Sequence, residues 1–280
     1  MSAETAILFP GQGSHDADAR DHVEHHAPSL LELCIDLVGE DPFPRAGEST
    51  RFAQPAIFLA SLARWETLCG QAEPLAFAGH SLGEISALTA AGALRPEDGL
   101  RLVVERGRLM SEAQAGGMVV VRAGAQEAEE LAQLTGTVVA NDNSPTQVVL
   151  FGTEEAIAGV RPAAKARGIK ARRLDVAGAF HSPLMDDAAR RLREVVADIE
   201  VRAPSAPVLC CATARNFHDV RGQLPEAVTS PVRWREVLDI LDARGARRFL
   251  DVGPGDVMSG LVRQVLPHAE VVEVGDAAIV

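Results

Sequence analysis

Apolar residues in this chain come in short unbroken runs, separated by longer stretches in which they recur every three or four positions. The first run, residues 5 to 9, ends at Pro10-Gly11-Gln12-Gly13-Ser14 and predicts a buried strand feeding a glycine-rich loop. Between residues 15 and 50 the pattern weakens: Leu30, Leu31, Leu33, Ile35 and Leu37 predict one helix, and His22, His25 and His26 read as surface. Residues 54 to 68, opened by Gln54-Pro55 and carrying Ile57, Leu59, Leu62, Trp65 and Leu68, predict an amphipathic helix. A second apolar run ends in Gly79-His80-Ser81-Leu82-Gly83-Glu84 and passes into Ile85, Leu88 and Ala91, a strand, sharp turn and helix that end near Gly92. Residues 96 to 113 then place Leu100, Val103, Val104 and Leu109 on one side of another helix.

At Gly116-Gly117 the rhythm changes. Strand 118 to 121, helix 126 to 134, strands 137 to 141 and 147 to 151, helix 154 to 166 and strand 170 to 176 read as β-α-β-β-α-β, the ferredoxin-like order. Residues 117 to 178 are therefore expected to form a small α+β subdomain, inserted into a large domain made of residues 1 to 116 and 179 to 280. Beyond it follow a helix at 184 to 198, a strand at 207 to 211, a helix at 231 to 242, a strand at 248 to 252, and Gly253-Pro254-Gly255 turning into a helix from Val257. Strands alternating with helices imply a mostly parallel sheet covered on both faces. The fold class is α/β, with an α/β-hydrolase-like large domain.

Composition narrows the function classes. The 280 residues suffice for one large domain or two ordinary ones, and 47% of them are hydrophobic. With 27 basic against 39 acidic residues the net charge is −12, which argues against nucleic acid as a partner. The basic run Lys165, Arg167, Lys170, Arg172 and Arg173 is the local exception. Cys34, Cys69, Cys210 and Cys211 have neither zinc spacing nor a disulfide framework, so reduced thiols and no metal are expected. No apolar stretch reaches membrane-spanning length and Met1 to Thr5 is unlike a signal peptide, so the expected setting is the cytoplasm.

Ser81, at the tip of the Gly-x-Ser-x-Gly turn, is the candidate nucleophile, and it needs a base within hydrogen-bond reach. Eight histidines compete for that part. His80 adjoins Ser81, but neighbours across a sharp turn usually point apart. His181, among small residues where the chain re-enters the large domain, suits a domain cleft. An acid to orient it is not evident: Asp142 and Asp175 lie between Ser81 and His181 in chain order, without distinctive context. Arg106 reads either as a surface ion pair or as a partner for a substrate carboxylate.

Eight blocks occur in the order and spacing of malonyl-CoA:acyl-carrier-protein transacylases: Phe9 to Ser14, Thr50 to Ala56, Gly79 to Glu84, Arg106-Gly107, Asn141 to Pro145, Ala179 to Ser182, Ser230 to Trp234, and Val252 to Gly255. Taken together, the chain most resembles the free-standing acyltransferases that serve polyketide synthases in trans. The resemblance implies that Ser81 accepts the acyl group, His181 is its base, and the amides of Gln12 and Leu82 form the oxyanion hole. It further implies that Arg106 holds a malonyl carboxylate and that Asn141 lies near the site. Backbone carbonyls around Ala227 and Val228 would orient the histidine, in place of an acid. Implied partners are malonyl-CoA, as the coenzyme A thioester substrate, and a phosphopantetheinylated acyl carrier protein or polyketide synthase module, with no cofactor. Phe180 before His181, and Leu82, resemble the malonyl type, in which a ring fills the space a methyl branch would need. His15 and Cys211 depart from the family pattern. A thioesterase or editing hydrolase, and a non-catalytic carrier-binding module, are the alternative readings.

Overall fold

Strand β1 (Thr5–Phe9) is buried along its whole length, and its side chains alternate between two cores. Ile7 and Phe9 point into one, Ala6 and Leu8 into the other. That is what a run with no polar interruption requires: a strand covered on both faces. This computed structural model describes residues 4–14, 18–71, 73–112, 116–174 and 180–274.

In chain order the first part comprises β1, α1 (Ala19–His26), α2 (Pro28–Val38), α3 (Thr50–Glu66), β2 (Ala76–Gly79), α4 (Gly83–Ala90) and α5 (Pro96–Ser111). The insertion comprises β3 (Gly117–Val121), α6 (Ala125–Thr135), β4 (Val138–Ser144), β5 (Gln147–Gly152), α7 (Glu154–Ala166) and β6 (Ala171–Arg173). The return comprises α8 (Asp186–Ala197), β7 (Val208–Cys210), β8 (Arg215–Asn216), α9 (Val220–Ala227), α10 (Trp234–Ala243), β9 (Arg248–Asp251), α11 (Val257–Val265) and β10 (Glu270–Glu273).

Among the described residues the large sheet runs β10-β9-β1-β2-β7-β8. Its pairings are parallel except for β7 with the short edge strand β8. Helices α3, α4 and α5 cover the face that holds Ile7 and Phe77, while α10 and α11 cover the face that holds Leu8 and Phe249. The second sheet is antiparallel with order β4-β5-β3-β6, the ferredoxin-like arrangement. Val119, Val121, Val148 and Leu150 pack under α6 and α7. Alternate residues Met118 and Val149 face the other way, into the main core.

Several boundaries differ from the periodicity. Two helices, α1 and α2, stand where one was expected, because α1 is polar except for Ala19 and Val23 and leaves little apolar rhythm. Helix α3 begins at Thr50 and runs through Pro55, its lost backbone bond offset by nearly complete burial. Helix α10 begins at Trp234, three residues late, because the chain at Val232 pairs with β4. His15, Asp175 and Ala179 lie outside the described residues.

Candidate active site

Strand β2 ends at Gly79 and α4 begins at Gly83, so His80, Ser81 and Leu82 carry the whole reversal. The turn is so tight that a Cβ on Gly79 would lie 1.9 Å from the Gly83 carbonyl carbon, and one on Gly83 would lie 2.2 Å from the Phe9 oxygen. Only glycine fits at either place. Ser81 absorbs the remaining strain with φ of +55°, in the left-handed region that a residue with a side chain rarely adopts. Its hydroxyl is thereby raised above the first turn of α4. The side chain of Leu82 is buried beneath the turn.

His181 sits 100 residues further on, also at positive φ (+60°), and its Nε2 lies 2.8 Å from Ser81 Oγ. Its other ring nitrogen, Nδ1, faces the carbonyls of Ala227 at 3.0 Å and Ser230 at 3.1 Å. A carbonyl only accepts, so Nδ1 carries the proton and Nε2 presents its lone pair to the serine hydroxyl. The backbone amide of His181 donates to the Val228 carbonyl at 3.1 Å, closing the hook. Burial, then the charge of Arg106, then His80, push the imidazole down to about 3, so it is neutral at ordinary pH. Asp142 is not near this ring; it is bound to Arg235 at 2.7 Å.

Arg106, on α5, is 4% exposed and is therefore no surface ion pair. One of its terminal nitrogens donates to Ser81 Oγ at 3.0 Å and the other to Gln54 Oε1 at 2.8 Å. Gln54, fully buried on α3, also donates to Met110 Sδ at 3.3 Å. In the sequence Gln54 reads only as part of a helix opening. Its signal was a long polar side chain beside Pro55 at the head of a buried helix. Burial lowers the guanidinium to about 10, so Arg106 stays charged, while Glu84 opposes the shift.

A cavity of about 500 Å³ opens over Ser81. Gln12, Asn141, Phe180 and His181 line it, with Met118, Val120 and Val149 of the small sheet opposite. Lys170 and Arg172 also line it, and Arg172 pairs across from Val120 on the same face. Arg167 and Arg173 of the same run are instead engaged with Glu130 and Glu154. Strand β4 closes the seam between the two sheets. Asn141 bridges to Val232, Asn143 Oδ1 meets His80 Nε2 at 2.9 Å, and Ser144 donates to Gln264 at 2.9 Å. The His80 ring packs edge-on against Trp234 at 5.5 Å, so it turns away from Ser81, towards the seam. Among the described residues no cluster of His, Cys, Asp or Glu could hold a metal ion, and no helix is long and apolar enough to cross a membrane.

A serine at a strained elbow, a neutral histidine oriented by carbonyls and a buried arginine beside them stand together at the cavity, an arrangement capable of acyl-group chemistry. The fold and site thus define a serine-dependent acyl-transfer class. Residues 22–279 match the acyl transferase domain family, and the chain belongs to it. It is 40% identical over 282 residues to the polyketide biosynthesis protein ThaF of Burkholderia thailandensis, covering 94% of this chain but only 24% of that protein. It is 35% identical to the malonyl CoA-acyl carrier protein transacylase of Bacillus subtilis, over 98% of this chain and 94% of the relative. Among solved structures it is similar to a malonyl-transacylase in complex with a type II polyketide synthase acyl-carrier protein, at TM-score 0.90 and 32% identity, covering 98% of this chain and 97% of that one.

Proposed function

We propose that this protein transfers a malonyl group from coenzyme A to the phosphopantetheine thiol of an acyl carrier protein, in polyketide or fatty-acid biosynthesis, through an ester on Ser81. The observation that carries this reading is the contact of Arg106 with Ser81 Oγ at 3.0 Å, which sets a buried cation beside the atom that would carry the acyl group. A dicarboxylate half-ester presents its free carboxylate there, and a general esterase has no use for such a clamp. The likeness to malonyl transacylases over nearly their whole length supports the same substrate.

In the first half-reaction Ser81 Oγ attacks the thioester carbonyl while its proton passes to His181 Nε2. The amides of Gln12 and Leu82, the latter at the head of α4, hold the oxyanion. Collapse expels the coenzyme A thiolate, which takes the proton from His181. In the second half His181 draws the proton from the carrier thiol, the thiolate attacks the serine ester, and Ser81 leaves with the proton restored. Asn141 and Phe180 shape the cavity, Phe180 against branched acyl groups. Lys170 and Arg172 receive the acidic carrier at the cavity mouth of a chain that carries −12 overall. No cofactor enters either half.

The test is intact-mass analysis after brief exposure to malonyl-CoA, followed by addition of carrier protein. A malonyl adduct that persists in buffer and moves to the carrier is expected. Adduct loss at equal rates with and without carrier would make the protein a hydrolase, and no adduct would make it a non-catalytic module.

A further inference from the structure

One buried cation has no place in the steps above. Arg64, in the last turn of α3, is 3% exposed. An arginine at a helix end ordinarily keeps its charged head in water. Here Nη1 donates instead to the Gly253 carbonyl at 2.5 Å, 189 residues further on. Gly253 is held from its other side as well: the buried Asp251 accepts its amide at 3.4 Å and the Ser259 amide at 2.8 Å. Both backbone polar groups of this one glycine are thus bonded to buried ionisable side chains. Gly253 lies so close to Pro10 that a Cβ on it would stand 1.8 Å from Pro10 Cγ. Val252 donates to Leu8 at 3.0 Å, but Pro10 has no amide with which to carry that ladder further, so the two loops meet there by packing. Gly11 has as little room, since a Cβ there would stand 2.7 Å from the His80 oxygen. Gly253, Pro10-Gly11 and His80 therefore form close-packed layers, with Arg64 bonded to the first and Ser81 next to the last.

We propose that Arg64 is a positioning residue for acyl transfer: by fixing the Gly253 loop against Pro10, it holds the Pro10-Gly11-Gln12 segment where the oxyanion hole needs it. This rests on the reading that the Gln12 amide takes part in that hole. Gln12 lines the cavity with Ser81, but the next residue, Gly13, is exposed and at φ of +98°. A loop with glycine on both sides of Gln12 does not by its own sequence keep a backbone amide aimed at one point. Preorganised donors act by standing in place before charge develops, so a small displacement lowers the rate. The tight elbow fixes the Leu82 amide from within. The Gln12 amide needs support from outside, and the layer tied to α3 supplies it. The same helix carries Gln54 near its start, bonded to Arg106, so α3 bears on the hole at one end and on the carboxylate clamp at the other.

The two roles separate by donor, because the hole serves every thioester and the clamp only an anionic one. The readout is rapid-mixing mass analysis of Ser81 acylation by malonyl-CoA and by acetyl-CoA, fitted for rate constant, amplitude and half-saturating donor concentration. Amplitude counts folded sites, so a merely structural defect lowers it and leaves the rate constant alone. Arg64→Met, similar in length but without a donor, is expected to lower the saturating rate constant about tenfold for both donors, with half-saturation unchanged. That is less than the roughly 10²- to 10³-fold lost when an oxyanion donor is deleted. Pro10→Ala, which removes the ring between the layers, is expected to do the same. Adding Arg64→Met to it is expected to slow acylation by no more than about twofold further, since both act through one contact. Gly253→Ala, pressing on Pro10 from the same side, is expected to lower the constant too, and it carries the test if Arg64→Met does not fold. Unchanged rate constants in Arg64→Met or in Gly253→Ala overturn the proposal, as do losses that add in the double variant. A loss confined to malonyl overturns it by assigning Arg64 to Gln54 and the clamp. An unchanged constant in Pro10→Ala removes the oxyanion reading of this loop and the proposal with it, whereas slowing in Pro10→Ala with none in Arg64→Met removes the proposal alone.

Discussion

The two halves of the Ser81–His181 pair are held in opposite ways. Around Ser81 the restraint is local and backbone-made: Gly79 and Gly83 touch across three intervening residues, and the His80 amide donates to Phe9 of the neighbouring strand at 2.9 Å. Around His181 it is remote. The ring hangs on the carbonyls of residues 227 and 230, and the same segment is tied at Val232 to β4 of the inserted sheet. A nucleophile can be encoded in five consecutive residues, because an elbow is a matter of backbone sterics. A base placed 2.8 Å away needs a second scaffold, and here the seam along β4 supplies it. The small subdomain is therefore more than a wall of the cavity: its strand β4 is bonded at Val232 to the segment that orients the histidine.

Breaking the local half gives the largest effect. Ser81→Ala is expected to abolish the malonyl adduct while the melting temperature stays within ordinary surface-mutant scatter, since only a hydroxyl is removed; a malonyl mass on this variant would move the nucleophile elsewhere. Next comes the group that bridges the halves. Arg106→Ala should cost malonyl acylation about 10²- to 10³-fold, the scale of one lost preorganised donor. Acetyl acylation should suffer far less, and equal losses for both donors would assign Arg106 to structure.

Loosening the seam along β4, which meets both halves, should act more gently. Asn143→Ala removes the contact to His80 across the seam, and acylation is expected to fall about fivefold, equivalent to one hydrogen bond of about 1 kcal/mol. Arg106 takes no part in that contact, so the malonyl-to-acetyl ratio should not move. A change in that ratio, or an unchanged rate, would contradict the bracing role. The last effect concerns choice among anionic donors and leaves the malonyl rate itself nearly untouched. Phe180→Ser should narrow the malonyl preference over methylmalonyl, because overpacking by one methyl costs about 1–3 kcal/mol, or roughly 5- to 150-fold. Competition between the two coenzyme A esters, read by mass on Ser81, measures it. A wild-type preference for methylmalonyl would remove Phe180 from the specificity argument.

What the residues alone determined follows from short-range physics. The unbroken runs of β1 and β2 required a doubly covered parallel sheet. Gly79 and Gly83 around Ser81 required an elbow, and the order of periods after Gly117 required the ferredoxin-like unit. Helix α1 and the short elements β8, α9 and β10 were not legible, being too polar or too short to leave a period. Residue spacing left the histidine open among eight, and the resemblance pointed to His181 and to carbonyls near Ala227; the tertiary structure sets His181 at Ser81 with carbonyls, not Asp142, at its ring, and brings Gln54 to Arg106 and Asn143 to His80. Those relations join residues tens of positions apart. Polar side chains carry no period that says where they point, and a buried charge is known only by the partners that folding brings to it.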